Sequence, residues 1–130
     1  MRHSKHKYKL GVTPSHRKSL MRNLAISMID HGKIKTTQTK AKALKGYVEK
    51  LVTLAKEDTV HNRRQAFSKL NNKDAVTKLF AEVGPKFKER NGGYTRIIKS
   101  RIRKGDCAPL SIIQLVAGKH IIKSELENKN

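Results

Sequence analysis

The stretch Arg90-Asn-Gly-Gly-Tyr-Thr-Arg-Ile-Ile-Lys-Ser-Arg-Ile-Arg-Lys-Gly-Asp106 decides what kind of fold this chain can build. Gly92 and Gly93 mark a turn where the backbone can bend freely or approach another molecule closely. Tyr94-Thr-Arg-Ile-Ile98, aromatic and β-branched, reads as a strand. Arg90, Arg96, Lys99, Arg101, Arg103 and Lys104 crowd that strand and its exit. Two readings fit: an edge strand kept soluble by charge, or a strand whose guanidinium groups face phosphate. Downstream, Leu110-Ser-Ile-Ile-Gln-Leu-Val116 is uncharged and rich in β-branched residues. It reads as the better-buried strand, pairing with Tyr94–Ile98 through the Ser100–Pro109 connection.

Working back towards the start, Asn72 can cap a helix carrying Ala75, Val76, Leu79, Phe80 and Val83, which Gly84-Pro85 is expected to end. Before it, Asp58-Thr59 caps a shorter helix with Val60, Phe67 and Leu70 as its apolar contribution and Arg63 and Arg64 on other faces. The strongest periodicity is Ala41, Leu44, Val48, Leu51, Val52 and Ala55, a core helix beginning near Thr37. Lys40, Lys42 and Lys45 lie in its first two turns, where the helix dipole favours acids, so this end is expected to face a polyanion. Thr13-Pro14 opens the first helix as N-cap and first helical residue. Leu20, Leu24 and Met28 form its apolar face with Met21, Ala25 and Ile29 beside them, and His31-Gly32 ends it. Lys33–Thr36 reads as a very short strand with Ile34 directed inward.

At 130 residues the chain is most simply one domain, residues 13–118, preceded by a basic arm (1–12) and followed by a polar tail (119–130). Thirty Lys and Arg against ten Asp and Glu give a net charge of +20. Such an excess repels itself when compact, and a polyanion is the natural partner. Residues 1–46 hold 12 basic residues and one acid, Asp30; residues 84–106 hold eight and two; the segment between them is nearly balanced. Two basic blocks thus flank a scaffold. The arm cannot bury enough apolar surface to order alone; Tyr8 is its main aromatic resource for stacking on a base.

One cysteine, Cys107, excludes an internal disulfide and a cysteine-rich zinc site, and it reads as a small packed residue in a reducing compartment, most simply the cytoplasm. No apolar run can cross a bilayer, and no basic amphipathic helix with an aromatic insertion face is present. Repeats, a Gly-x-Gly-x-x-Gly loop and a Gly-Lys-Ser/Thr phosphate loop are also lacking. His3 and His6 form at best an accidental metal pair. No set of acid, base and nucleophile supports an enzyme, and no cofactor, metal or small-molecule substrate is expected. A nucleoid-type DNA-binding protein would share the charge and size, but there is no helix-turn-helix pattern. An RNA-modifying enzyme is the other rival.

Taken together, Met1-Arg-His3, Ser15-His-Arg17, Arg22-Asn23, Ile34-Lys-Thr-Thr37 and Lys40-Ala-Lys42 resemble the bacterial large-subunit ribosomal protein seventeen family. The likeness continues, in order, through Leu54-Ala-Lys56, Asn62-Arg-Arg64, Lys78-Leu-Phe80, Gly84-Pro85, Gly92-Gly-Tyr-Thr-Arg96 and Gly105-Asp106. It spans roughly residues 1–117; His6 and Tyr8 make the arm less basic than the family pattern, and the tail is short. The resemblance implies a structural ribosomal component without enzymatic activity. Its implied fold is α+β, a single small domain ordered α-β-α(3)-β(2), with a small mixed β-sheet and the basic arm. It further implies binding to large-subunit ribosomal RNA near the polypeptide exit side, beside neighbouring ribosomal proteins. On this basis the two basic blocks are expected to converge on one RNA-facing surface. Its RNA-binding residues would be Arg2, His3, Lys5, Lys7 and Lys9 in the arm; His16, Arg17 and Arg22 on the first helix; Lys35 and Lys40; and Arg63 and Arg64. From the opening stretch it would take Arg90, Gly92, Gly93, Tyr94, Arg96, Arg101 and Arg103.

Overall fold

A computed structural model describes residues 9–116. The first helix, α1 (Pro14–His31), begins as its sequence dictates. The Thr13 hydroxyl accepts from the His16 backbone N–H at 3.3 Å, Pro14 takes the first position, and Gly32 closes the helix at φ +78°. Its buried stripe is Met21, Ala25, Met28 and Ile29, at the i, i+4, i+7, i+8 spacing of one helical face; Leu20 and Leu24 lie at the border, half-buried. β1 (Lys33–Thr37) follows, then α2 (Gln38–Ala55), which buries Ala41, Leu44, Val48, Leu51, Val52 and Ala55.

α3 (Val60–Leu70) is capped by Thr59, whose hydroxyl accepts from the Asn62 N–H at 3.1 Å. The Asn62 amide in turn donates to the carbonyls of Leu54 and Glu57, which ties the α2–α3 loop shut. Only Ala66 and Leu70 of α3 are buried. Val60 and Phe67, expected inside, are 66% and 40% exposed. They lie seven residues apart on one stripe, turned about one residue away from the Ala66–Leu70 stripe that meets the core.

α4 (Lys73–Lys78) starts at Asn72, whose side chain accepts from the Ala75 N–H at 3.0 Å. It does not end at Gly84-Pro85. It widens into a π-helical segment, Leu79–Val83, and continues as a helical turn, Gly84–Lys86. In a regular α-helix Pro85 would strike the carbonyl four residues back; a widened turn just ahead relieves that collision. Gly84 is buried against α2, and a Cβ there would collide with the Ala55 carbonyl oxygen.

β2 (Thr95–Ile102) and β3 (Pro109–Leu115) form a hairpin, and the strand order is β1-β3-β2. Both pairings are antiparallel: Ile34 faces Ile113 and Thr36 faces Ser111 on one side, Ile97 faces Ile113 and Lys99 faces Ser111 on the other. The sheet is therefore antiparallel throughout, not mixed. β1 and β2 do run in the same direction, but β3 is inserted between them, so no parallel ladder forms. β2 also extends past Ile98, through an irregularity between Lys99 and Ile102, and so carries Arg101 within the strand.

One core joins these parts. α2 packs on α1, α3, all three strands and the turn at Gly84–Lys86. Its apolar stripe meets Met28, Leu70, Leu79, Phe87 and Ile113 in a single cluster, each at most 1% exposed. Each such large side chain contributes about 1.5–3 kcal/mol by leaving water. Gly84→Ala should therefore cost roughly 1–3 kcal/mol by overpacking. Gly46→Ala, in mid-α2 with open space around the added methyl, should gain about 0.5–1 kcal/mol from helix propensity. Urea unfolding of both variants checks this; equal midpoints would contradict the packing described.

Candidate nucleic-acid interface

The sheet has two unlike faces. Inward lie Thr95, Ile97, Ser111, Ile113 and Ile34, over α2. Outward, by strand alternation, lie Lys33, Lys35, Leu110, Ile112, Gln114, Arg96 and Ile98. Rows across this face set Lys33, Gln114 and Arg96 side by side, then Lys35, Ile112 and Ile98. The Gln114 amide oxygen, oriented to suit its neighbours, accepts from Arg96 Nε at 3.1 Å and Nη2 at 2.8 Å. That contact holds the guanidinium on the sheet surface. Further along, Ile102 is 65% exposed.

The hairpin ends in a clamp. Arg103 donates to both Asp106 carboxylate oxygens, at 2.9 and 2.5 Å, and the Ala108 N–H donates to the same carboxylate at 3.2 Å. The Arg103 guanidinium, with help from the Ala108 amide, holds the Asp106 carboxyl well below the usual carboxylate range. Cys107 sits in this tip, exposed and at φ +56°. It is not the packed residue expected, because the tip projects beyond the helices that would cover it.

On the far side of α2, Ala43, Gly46 and Lys50 lie opposite the buried stripe. There a cleft of about 580 Å³ opens between α1 and α2. Leu10, Pro14, Met21, Ala43 and Tyr47 make its floor, and Arg17, Lys18, Lys50 and Lys69 its rim. The Tyr47 hydroxyl donates to the Lys69 carbonyl at 3.1 Å, and burial raises its pKa against the opposing pull of Arg22. A neighbouring hollow shares Gly46, Lys50 and Lys69 and reaches Asn91 and Gly92, so the glycine loop borders the same face. The cations thus occupy two sides of the molecule rather than one, since α2 and the sheet lie between the cleft and the outer strands.

Individual residues sort accordingly. Arg2, His3, Lys5 and Lys7 lie outside the described residues. Lys9 is exposed, and residues 9–12 form a turn rather than an extended arm, with Leu10 and Gly11 both at positive φ. His16 is exposed in the first turn of α1, and Arg17 is half-buried in the cleft. Arg22 turns inward: its Nε donates to the Lys69 carbonyl at 3.0 Å, at the end of α3. Lys35 is exposed on the outer sheet face, and Lys40 is half-buried in the first turn of α2. Arg63 is paired with both oxygens of Asp58 and lies 5.2 Å over the Phe80 ring. Arg64, exposed, edges a shallow groove of about 440 Å³ with Val60 and Phe67. Arg90 is exposed, and its Nε donates to the Gly92 carbonyl at 3.3 Å. Gly92 and Gly93 have φ of +149° and +60°, with nothing near the missing Cβ. Tyr94 packs inward, 3% exposed, edge-on to Phe87 at 5.4 Å, with Lys56 Nζ 5.7 Å from its ring centre. Arg96, Arg101 and Arg103 are exposed on β2 and the hairpin tip.

Tyr47, Lys50 and Lys69 have no motif linking them to Arg17 and Lys18; only the packing of α1, α2 and α3 together brings these five around one cleft. Among the described residues no three His, Cys, Asp or Glu gather as metal ligands, and no helix is long and apolar enough to cross a membrane.

Fold and surface together define a small basic α+β domain with cations on two sides. The sequence model of the family Ribosomal protein L17 matches residues 20–116, and the chain belongs to that family. It is thereby a structural constituent of the large ribosomal subunit, of a family that is not an enzyme class, and its place is in the ribosome with ribosomal RNA and other ribosomal proteins.

Asp106 has a depressed pKa in the folded chain. Its contribution is therefore fully present above the ordinary carboxylate range near pH ~3.9 and is lost as pH falls through the lower, folded value. A carboxyl-carbon NMR titration should find Asp106 ionised at pH values where the unfolded chain is protonated, and Arg103→Ala should return it to the ordinary range. An ordinary midpoint in the native chain would rule the clamp out.

Proposed function

We propose that this protein binds large-subunit ribosomal RNA, near the polypeptide exit side and beside neighbouring ribosomal proteins, as a wedge with cations on two faces. The observation that carries the reading is the outer sheet face. Arg96 and Lys35 flank Ile98 and Ile112 on a surface that α2, packed on the opposite side, leaves uncovered. Arginine suits this role because its planar fork can take phosphate oxygens two at a time. Lys35, Arg96 and Arg101 serve one side, and Arg103, locked on Asp106, holds the hairpin tip beside them. Arg17, His16, Lys9 and Lys40 serve the other, and Arg2, His3, Lys5 and Lys7, outside the described residues, add further cations for the RNA. Arg90 and the open backbone of Gly92 and Gly93 let the chain lie against RNA beside them, and Arg64 extends the surface along α3. Arg22, Arg63 and Tyr94 act by holding the scaffold.

Engaging about eight phosphates predicts a log–log salt slope of roughly −6 to −7 for binding to the RNA. Arg96→Ala should weaken incorporation into large subunits more than Lys123→Ala, measured by co-sedimentation after DNase treatment. Arg22→Ala should instead lower stability by about 1 kcal/mol, because the Lys69 carbonyl near the end of α3 loses its charged donor and keeps only the Tyr47 hydroxyl. A slope near zero, or retention in the DNA fraction, would overturn the reading.

A further inference from the structure

The cleft between α1 and α2 has a shape that phosphate binding alone does not explain. Contacts to the sugar–phosphate backbone need cations on an accessible surface, not an apolar hollow. This one is about 580 Å³, within the size of ordinary small-ligand pockets. Its floor is apolar and aromatic, and its four rim residues Arg17, Lys18, Lys50 and Lys69 are all cationic. No acid lines it among the described residues.

Two backbone features point to the same place. Gly46 lies in the middle of an 18-residue helix, where glycine is a poor choice by about 1 kcal/mol against alanine. Packing gives no reason for it, since an added Cβ would meet nothing within 4 Å. A missing side chain there keeps the cleft open. In the floor, Leu10 adopts φ +58°, a left-handed conformation that a bulky residue rarely takes. Tyr47 is anchored by its hydroxyl on the Lys69 carbonyl, so its ring enters binding already ordered.

We propose that this cleft receives one unpaired nucleotide of the RNA, its base on the Leu10–Met21–Tyr47 floor and its phosphate among the rim cations. The proposal rests on the RNA-binding reading above and adds where, and by what chemistry, an extruded base is recognised. Splayed-out bases of single-stranded RNA are the groups that proteins stack on aromatic and apolar side chains. A double-helical segment offers no base face to enter such a hollow.

The test uses the full chain with large-subunit RNA. Gly46→Leu and Ala43→Leu fill the cleft from its α2 wall without removing a charge. Each should lower RNA affinity about tenfold or more, as losing one stacked base does, while the salt slope stays native. Base-specific chemical probing should show an unpaired nucleotide shielded by the native protein and left reactive with either variant. In parallel, RNA carrying 4-thiouridine should photocrosslink to native peptides containing Met21 or Tyr47, a readout that needs no variant to fold. Native-like affinity and base shielding in both leucine variants would overturn the cleft proposal and leave the electrostatic reading standing. So would crosslinks confined to the outer strands and residues 1–9. Native binding without salt dependence would overturn both.

Discussion

The structure depends on the apolar stripe of α2 packing into everything else at once. Val48, Leu51 and Val52 join the inner face of the sheet, α1, α3 and the π-helical segment in one buried apolar cluster. The constraint matters because the chain carries a net charge of +20. Self-repulsion of that size opposes compaction and falls off only with salt or a polyanion. A central helix whose buried positions are all uncharged lets the core form without placing a cation in it. The charges are displaced outward in two directions, because α2 has the sheet on one side and solvent on the other.

Cations in this protein do two different jobs, and geometry separates them. Arg22 and Lys78 reach carbonyls at the ends of α3 and α1, and Lys56 reaches the carbonyl of Arg90. Positive charge is favourable at the carboxyl ends of helices, where carbonyl groups lack intrahelical partners. Arg63 and Arg103 are held by neighbouring carboxylates. Lys35, Arg101 and Arg64 project outward. A count of basic residues thus overstates the groups available to phosphate, and the structure says which to subtract.

Much of the fold was legible in the sequence. The caps at Thr13, Thr59 and Asn72 and the glycine stop at Gly32 act within a few residues, and the stripe of α2 repeats long enough to be unambiguous. Other features depended on contacts far apart in the chain. Val60 and Phe67 look like core residues in a window of α3, yet only the way α3 docks decides which stripe is covered. The helix runs through Gly84-Pro85 because a π-turn accommodates the proline, and no local pattern signals that. The hairpin of β2 and β3 was readable from its connection, whereas the mixed sheet implied by the resemblance gave way to an antiparallel one because β3 lies between β1 and β2. At the surface, Arg96 was readable as outward from strand alternation, whereas the inward turn of Arg22 required the end of α3. The cleft of Tyr47, Lys50 and Lys69 is assembled from three helices and had no sequence signature.

The central claim is that the scaffold holding both cationic faces is built by its own core before RNA arrives. Amide hydrogen exchange of the free chain at moderate salt tests it most directly. Amides of Ala41–Ala55 in α2 and of Ile112–Leu115 in β3 are expected to exchange only through global unfolding, while those at the Arg103–Ala108 tip exchange early. Unprotected α2 and β3 amides that slow only when RNA is added would contradict it.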